Sequence, residues 1–256
     1  MKLFDKRYIN LIKELSMAWF KIRDQRSVMG VLWSFLNPLL MTAILFFLFK
    51  SRLSTGSPEN YFLYILIGTV TWNFFVMATS AGLVAIVNSP DMVKNVAFPK
   101  EILTLSAVGI FIIQHIFELA VVFILLAILR IGFSVQLIFL PVILVIQILL
   151  VAGLSLFLSS MCVFAFDMRH IWNVLTRMGF FVVPIFYSIS SISPRFKWVI
   201  AMNPMSQIII FLRDVLLYHR TPSLLNMALV FIFSLFVLIS GYKFFKYYED
   251  RMTEVV

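Results

Sequence analysis

A chain of 256 residues with 62% hydrophobic and only 13% charged side chains, at a mean hydropathy of +1.00, excludes a water-soluble globular domain, which carries about 25% charge. The net charge of +9 invites a nucleic-acid reading, but the placement of the basic residues argues for membrane topology instead. A single cysteine, Cys162, lies in an apolar run, so no intramolecular disulfide forms and the redox compartment stays open.

Residues 8–22 place Tyr8, Leu11, Ile12, Leu15, Ala18, Trp19 and Ile22 at helical spacing, with Asn10, Lys13, Glu14, Lys21 and Asp24 mainly opposite. Seven Lys/Arg against three acids precede Val28. The pattern predicts a helix in the cytoplasmic interface, apolar face down, within a separate segment of residues 1–30. A merely solvated amphipathic helix is the alternative, and Trp19 and Phe20 favour membrane contact. No signal peptide is evident: the first apolar run starts near residue 31, too late and too long for one, and is expected to remain as a span.

Residues 31–256 read as a membrane domain of six transmembrane helices. The spans fall at about 31–49, 61–87, 102–129, 135–166, 172–192 and 225–245. Val31–Phe49 is nineteen residues without a formal charge, enough to cross a hydrocarbon core about 30 Å thick. Asn37-Pro38 lies inside it, and Pro38 removes a backbone donor, which predicts a bent or loosened helix. A polar bend suits a pathway wall; a tolerated transmembrane proline is the plainer alternative. With the N-terminus inside, the inner segments hold fourteen Lys/Arg and the outer ones seven. That bias puts both termini in the cytoplasm.

Between the second and third spans, Ser89, Pro90, Asp91, Met92, Val93, Lys94 and Asn95 are punctuated as a short helix. Ser89 is at the N-cap, Pro90 in the first turn and Asp91 on the positive end of the dipole. Such an inner loop is either a docking element for a cytoplasmic partner or an ordinary capped turn. Residues 193–222, on the outer side, are too apolar for a plain loop. One piece holds Phe196, Trp198, Val199, Ile200 and Met202. Asn203-Pro204 breaks it, and a second piece, Ile208–Leu217, is interrupted by Arg213-Asp214. Neither reaches the ~17 residues of a span, so together they predict re-entrant helices capping a pathway, or else an interfacial helix pair.

Inside the spans, Glu118 with Gln114 and His115 stands almost alone as an ionisable cluster. It is a proton-relay candidate or, more simply, an interhelical hydrogen-bond centre. Among 28 Phe, 8 Tyr and 5 Trp, Tyr61, Tyr64, Trp72 and Trp198 suit interfacial belts. Trp33, Phe35, Phe46 and Phe47 on the first span, and Phe180, Phe181, Phe186 and Tyr187 on the fifth, are candidate channel-lining residues, with helix packing as the alternative for each. No catalytic residues are apparent. None of the nine glycines is followed by lysine, which excludes a G-x-x-x-x-G-K-[ST] phosphate loop. His115, His170 and His219 show no metal-ligand spacing with Cys162. If transport is ATP-driven, the ATPase is another chain.

Four stretches carry a resemblance to a known family. They are R-x-x-x-x-G-x-L-W-S-F-L-N-P-L (Arg26–Leu39), FPKE (Phe98–Glu101), DMRH (Asp167–His170) and NPMSQIIIFLRDVLL (Asn203–Leu217). Over essentially its whole length the chain resembles the permease subunits of polysaccharide-exporting ABC transporters of the ABC-2 type, which move O-antigen, teichoic acid or capsular chains. Phe166 stands where many relatives carry arginine. The resemblance implies a homodimer in the bacterial inner membrane, partnered by two copies of a cytoplasmic ABC ATPase. Undecaprenyl-linked polysaccharide would be the substrate and membrane lipid the surroundings, with no nucleic acid. ATP and Mg2+ would sit on the partner, with no cofactor on this chain. The N-terminal helix and Ser89–Phe98 would contact the ATPase. The first and fifth spans of both subunits would line the channel, and Asn203, Pro204, Arg213 and Asp214 would belong to an outer gate. An ABC-2 permease for a small hydrophobic drug or lipid is the alternative. A secondary carrier is disfavoured by the near-solitary Glu118.

Overall fold

The computed structural model describes residues 6–25, 32–50, 60–96, 98–189 and 192–255, and every regular element among them is helical. In chain order these are α1 (Lys6–Gln25), α2 (Leu32–Lys50), α3 (Tyr61–Val84), α4 (Pro90–Asn95) and α5 (Glu101–Ile128). A 3₁₀ turn (Val135–Phe139) then leads into α6 (Leu140–Phe164), followed by α7 (Met168–Val182), α8 (Pro194–Met202), α9 (Pro204–Leu216) and α10 (Leu224–Val255). Among the described residues, four stretches are long and apolar enough to cross a membrane: Tyr61–Val84, Glu101–Ile128, Val135–Phe164 and Leu224–Met252. α2 is a shorter apolar helix, counted over Leu36–Lys50, and α7 has 15 residues.

α3 is the central element. It packs against α2, α5, α6, α7 and α9, and 17 of its 24 residues are buried. This is why its sequence is apolar all round rather than on one stripe. α6 and α10 form the most extensive pair, and glycine makes that possible. A Cβ on Gly241 would lie 2.2 Å from the Gly153 carbonyl oxygen, and one on Gly153 would lie 2.5 Å from the Leu238 backbone. Between helices that lipid surrounds, close backbone approach supplies the dispersion contacts that the hydrophobic effect cannot. α1 lies on α5 in the same manner, with Ser16 seated over Gly109 and its Oγ donating to the Ser106 carbonyl at 3.1 Å.

Several sequence expectations shift. Helices cover the first four apolar runs with ends within a few residues of those expected, but the fifth helix differs. α7 begins at Met168 and ends at Val182; Val183 is extended at φ −78°, ψ 139°, as a residue before proline is pushed to be, so the helix cannot run to 192. α9 is one continuous helix through Arg213-Asp214, because Arg213 is buried rather than exposed and so does not interrupt the apolar face. α10 continues ten residues beyond the expected end at 245, with Phe245 and Met252 fully buried against α4, α5 and α6 neighbours. α2 stays helical through Pro38. On α1, Leu11 is exposed while Tyr8 and Ser16 are buried, so the packed face is rotated from the expected one. Arg26 and residues 26–31, together with the loop 51–59, lie outside the described residues.

The Gly153–Gly241 crossing yields a direct prediction. Gly241→Leu forces two backbones apart at a cost of about 2 kcal/mol or more and should lower the melting temperature of the detergent-purified protein by several degrees. Gly132→Ala, with nothing within 4 Å of the added Cβ, should leave it unchanged.

Candidate functional site

α2, α3 and α7 enclose a groove of ≈540 Å³. Asn37, Pro38 and Met41 come from α2, Thr69, Trp72, Asn73 and Val76 from α3, and Thr176, Arg177, Phe180 and Phe181 from α7. Two contacts pin α7 to α3 and so fix the groove's width. The Trp172 Nε1 donates to Thr79 Oγ1 at 3.0 Å. The Trp72 ring lies against Gly179, where a Cβ would come within 2.8 Å of it. The wall is mixed: aromatic faces alternate with two amides, two hydroxyls and one guanidinium, the combination that binds a polar, ring-containing ligand.

Above the groove the chain leaves α7 at an elbow, Val183–Tyr187, whose carbonyls have no helical partners. Side chains from α3 and α9 supply them. Arg213 Nη1 donates to Pro184 O at 2.6 Å and Nη2 to Ile185 O at 2.8 Å. Tyr61 Oη donates to Phe186 O at 2.6 Å, and Tyr64 Oη to Tyr187 O at 2.9 Å. Arg213 Nε and Nη2 also reach Tyr64 O at 3.1 and 2.9 Å, with the guanidinium 3.4 Å from the Tyr64 ring centroid. The cation is 2% exposed and among the described residues has no carboxylate partner. Carbonyl dipoles and a π face carry its charge instead. Gly68 makes room for it: a Cβ there would sit 2.7 Å from Nη2.

The outer-gate candidates therefore have structural duties. Arg213 is the clamp. Asn203 caps α9, its Oδ1 accepting from Met205 and Ser206 N at 2.9 and 3.3 Å, with Pro204 in the first turn. The backbone N of Arg220 donates to the Asp214 carbonyl at 2.8 Å. Tyr61, Tyr64 and Trp72, expected in interfacial belts, are buried; Trp198 is exposed.

The channel-lining candidates divide. Trp33 (54%), Phe47 (78%) and Phe181 (66%) are exposed. Phe46 packs on Tyr61 and Phe62. Phe180, Phe186 and Tyr187 form a contiguous aromatic group that Phe49 joins by stacking on Phe186 at 4.9 Å. The Phe35 side chain lies outside the described residues. Sequence reading missed Trp72, Asn73 and Arg177 as groove residues. The signal was present in Tyr61, Tyr64 and Gly68, spaced three and four apart on one helical face.

At the other end of the molecule, α4 exposes Pro90, Asp91, Lys94 and Asn95 while Val93 is buried and Ser89 and Met92 are half-buried. Ser89 occupies the N-cap position, but its side chain makes no capping bond, contrary to expectation. A second groove of ≈520 Å³ opens beside α4, lined by Trp19 of α1, Ala81 and Val84 of α3, and Asn88–Met92. Beneath it, Lys246 bridges Glu101 and Glu249 at 2.9 and 2.7 Å, and Glu249 accepts from the Lys100 backbone at 3.1 Å. Tyr8 sits against this cluster; burial, then the Glu101 carboxylate, hold its phenol well above the usual value.

Glu118 is an interhelical bonding centre. Its Oε1 accepts from Asn73 of α3 at 3.0 Å and from Gln114 at 2.9 Å, and Oε2 faces His115 Nδ1 at 3.5 Å.

Residues 10–217 match the family described as ABC-2 type transporter. The chain is 25% identical over 255 residues to an O-antigen export system permease protein RfbA of Klebsiella pneumoniae, covering 99% of this chain and 96% of that one. A second permease of that name and organism is 26% identical over the same shares. One from Myxococcus xanthus is 26% identical over 218 residues, 84% of each chain.

The clamp can be tested by substitution. Arg213→Met strands the Pro184 and Ile185 carbonyls and should destabilise the protein by about 3 kcal/mol. Tyr61→Phe and Tyr64→Phe, each losing one hydrogen bond, should cost about 1 kcal/mol. Thermal unfolding in detergent, with limited proteolysis at the elbow, reads both effects.

Proposed function

The chain belongs to the ABC-2 type transporter family, and from that premise we propose that it is the membrane permease of an ATP-driven exporter of lipid-linked polysaccharide, O-antigen or a similar glycan. The observation that carries the reading is the groove between α2, α3 and α7. Its aromatic faces, Trp72, Phe180 and Phe181, suit the apolar faces of sugar rings, and its amides, Asn37 and Asn73, suit their hydroxyls. That such glycans are the cargo of the two Klebsiella permeases, by their names, supports the substrate class.

In this proposal α2 and α7 are the first and fifth of six spans, α8 and α9 form the outer re-entrant cap, and both termini face the cytoplasm. Two copies assemble so that their grooves close into one channel, which accounts for the exposed apolar residues Ile171, Val174, Leu175, Met178 and Phe181 along α7. ATP hydrolysis is supplied by a separate pair of nucleotide-binding subunits in the inner-membrane complex. They dock on the exposed residues of α4 and on the groove beside α1. Because Val93 is buried against Phe245 and Met252, a push on α4 is delivered to α10 and the ion-paired base of α5. ATP binding then biases the population toward the conducting arrangement.

The test is a deletion strain with glycan synthesis left on. Undecaprenyl-linked polymer should accumulate inside and vanish from the surface, with rescue only when this chain and its ATPase are both present. Normal surface glycan with altered drug sensitivity would favour the small-molecule exporter. Within the rescued strain, Trp33→Ala and Phe181→Ala should reduce surface glycan several-fold at unchanged protein level, whereas Ile232→Ala, on exposed α10, should not.

A further inference from the structure

Arg177 is exposed on α7 and lines the groove with Asn37, Thr69, Asn73 and Thr176. It lies nine residues beyond Met168, or about 13 Å along the helix axis at 1.5 Å per residue. Its neighbours on the same face, Val174 and Phe181, are exposed and apolar. A cation in such surroundings is costly, by about 2.5–3.5 kcal/mol at the centre of a span, unless something anionic faces it.

The described residues of this protomer supply no such group. Among the described residues the ion pairs are His115–Glu118, Lys246–Glu101 and Lys246–Glu249, and Arg177 joins none of them. Glu118, which bonds to the groove residue Asn73, does not itself line this groove and has its oxygens engaged by Asn73, Gln114 and His115. Arg213, the other guanidinium in this region, is wholly satisfied by carbonyls; Arg177 is not. A planar, five-donor fork opening into a groove of ≈540 Å³ beside two amides is suited to bidentate capture of phosphate oxygens.

We propose that Arg177 is a phosphate-binding residue of the groove, taking the diphosphate head of the lipid-linked substrate as it enters, with the Asn37 amide as a second donor. The inference rests on the polysaccharide reading above and adds to it a specific contact at the substrate's charged end. The same chemistry is offered by anionic phospholipid head groups, so the test must separate the two.

The full-length protein in phosphatidylcholine nanodiscs would be titrated with a short polyprenyl diphosphate and with the corresponding polyprenol. The native protein should bind the diphosphate more tightly. Arg177→Gln should lose about tenfold or more of that affinity, the loss of one charge-assisted hydrogen bond, while polyprenol binding stays unchanged. Arg177→Lys, a point charge without the fork, should retain part of the preference, and equal melting temperatures would show that all three proteins are folded. Equal diphosphate affinity in the native protein and Arg177→Gln would overturn the proposal. So would phosphatidylglycerol in the disc that lowers native affinity to the Arg177→Gln level, since the residue would then hold a bilayer lipid. In cells, surface glycan lost on deletion but fully restored by Arg177→Gln overturns this inference alone, whereas glycan unaffected by deletion overturns the export reading beneath it.

Discussion

A helix that stops inside an apolar slab leaves carbonyl groups that neither water nor lipid can satisfy, and each one left bare costs several kcal/mol. α7 stops at Val182 because Pro184 bars the next turn. The consecutive carbonyls of Pro184, Ile185, Phe186 and Tyr187 are then taken up by Arg213, Tyr61 and Tyr64. One buried guanidinium thereby fixes two things at once: how α9 seats on α3, and how the aromatic group at the end of α2 meets the elbow. The arrangement works only because Gly68 leaves the space that the guanidinium fills.

The groove is what remains between elements held in this way. α3 is packed on nearly every side, so it behaves as a fixed post. α7 is joined to it at few points, the Trp172–Thr79 hydrogen bond, the Trp72–Gly179 contact and the clamp, and otherwise presents an exposed surface. An element with few buried contacts on a rigid neighbour is the one that can shift at modest cost. α4 touches the long helices through Val93 and Met92, with its other residues exposed. Val93 places it in a cluster containing Leu103, Phe245 and Met252.

Much of this was legible in the sequence, and the limits are physical. Long apolar runs reveal spans because hydrocarbon thickness sets their length; α3, α5 and α6 were found in this way. Pro90 marked a helix start correctly because proline lacks only a donor that the first turn leaves free, whereas Pro204, read as a break, in fact opens α9. Arg213 was misplaced because charge in a sequence reads as exposure, and its satisfaction comes from backbone carbonyls that leave no sequence mark. The burial of Tyr61 and Tyr64 escaped for the same reason: an interfacial tyrosine and a carbonyl-capping one look alike until the partner is known. The extension of α10 to Val255 was hidden because its charged residues resemble a solvated tail, whereas Lys246 and Glu249 are engaged with Lys100 and Glu101. Arg177 was counted as a topological charge, and only the fold places it opposite Asn37 and Asn73.

The central claim, that the groove between α2, α3 and α7 is the path the polymer takes, is most directly tested by trapping the polymer there. A photo-crosslinking amino acid would be placed at position 181, on the groove, and separately at position 232, on the exposed face of α10. Both proteins would be irradiated in cells that are making glycan. Glycan-bearing adducts of the permease at 181 and none at 232 is the result the account predicts. Absence of adducts at 181, or equal yields at both positions, would contradict it.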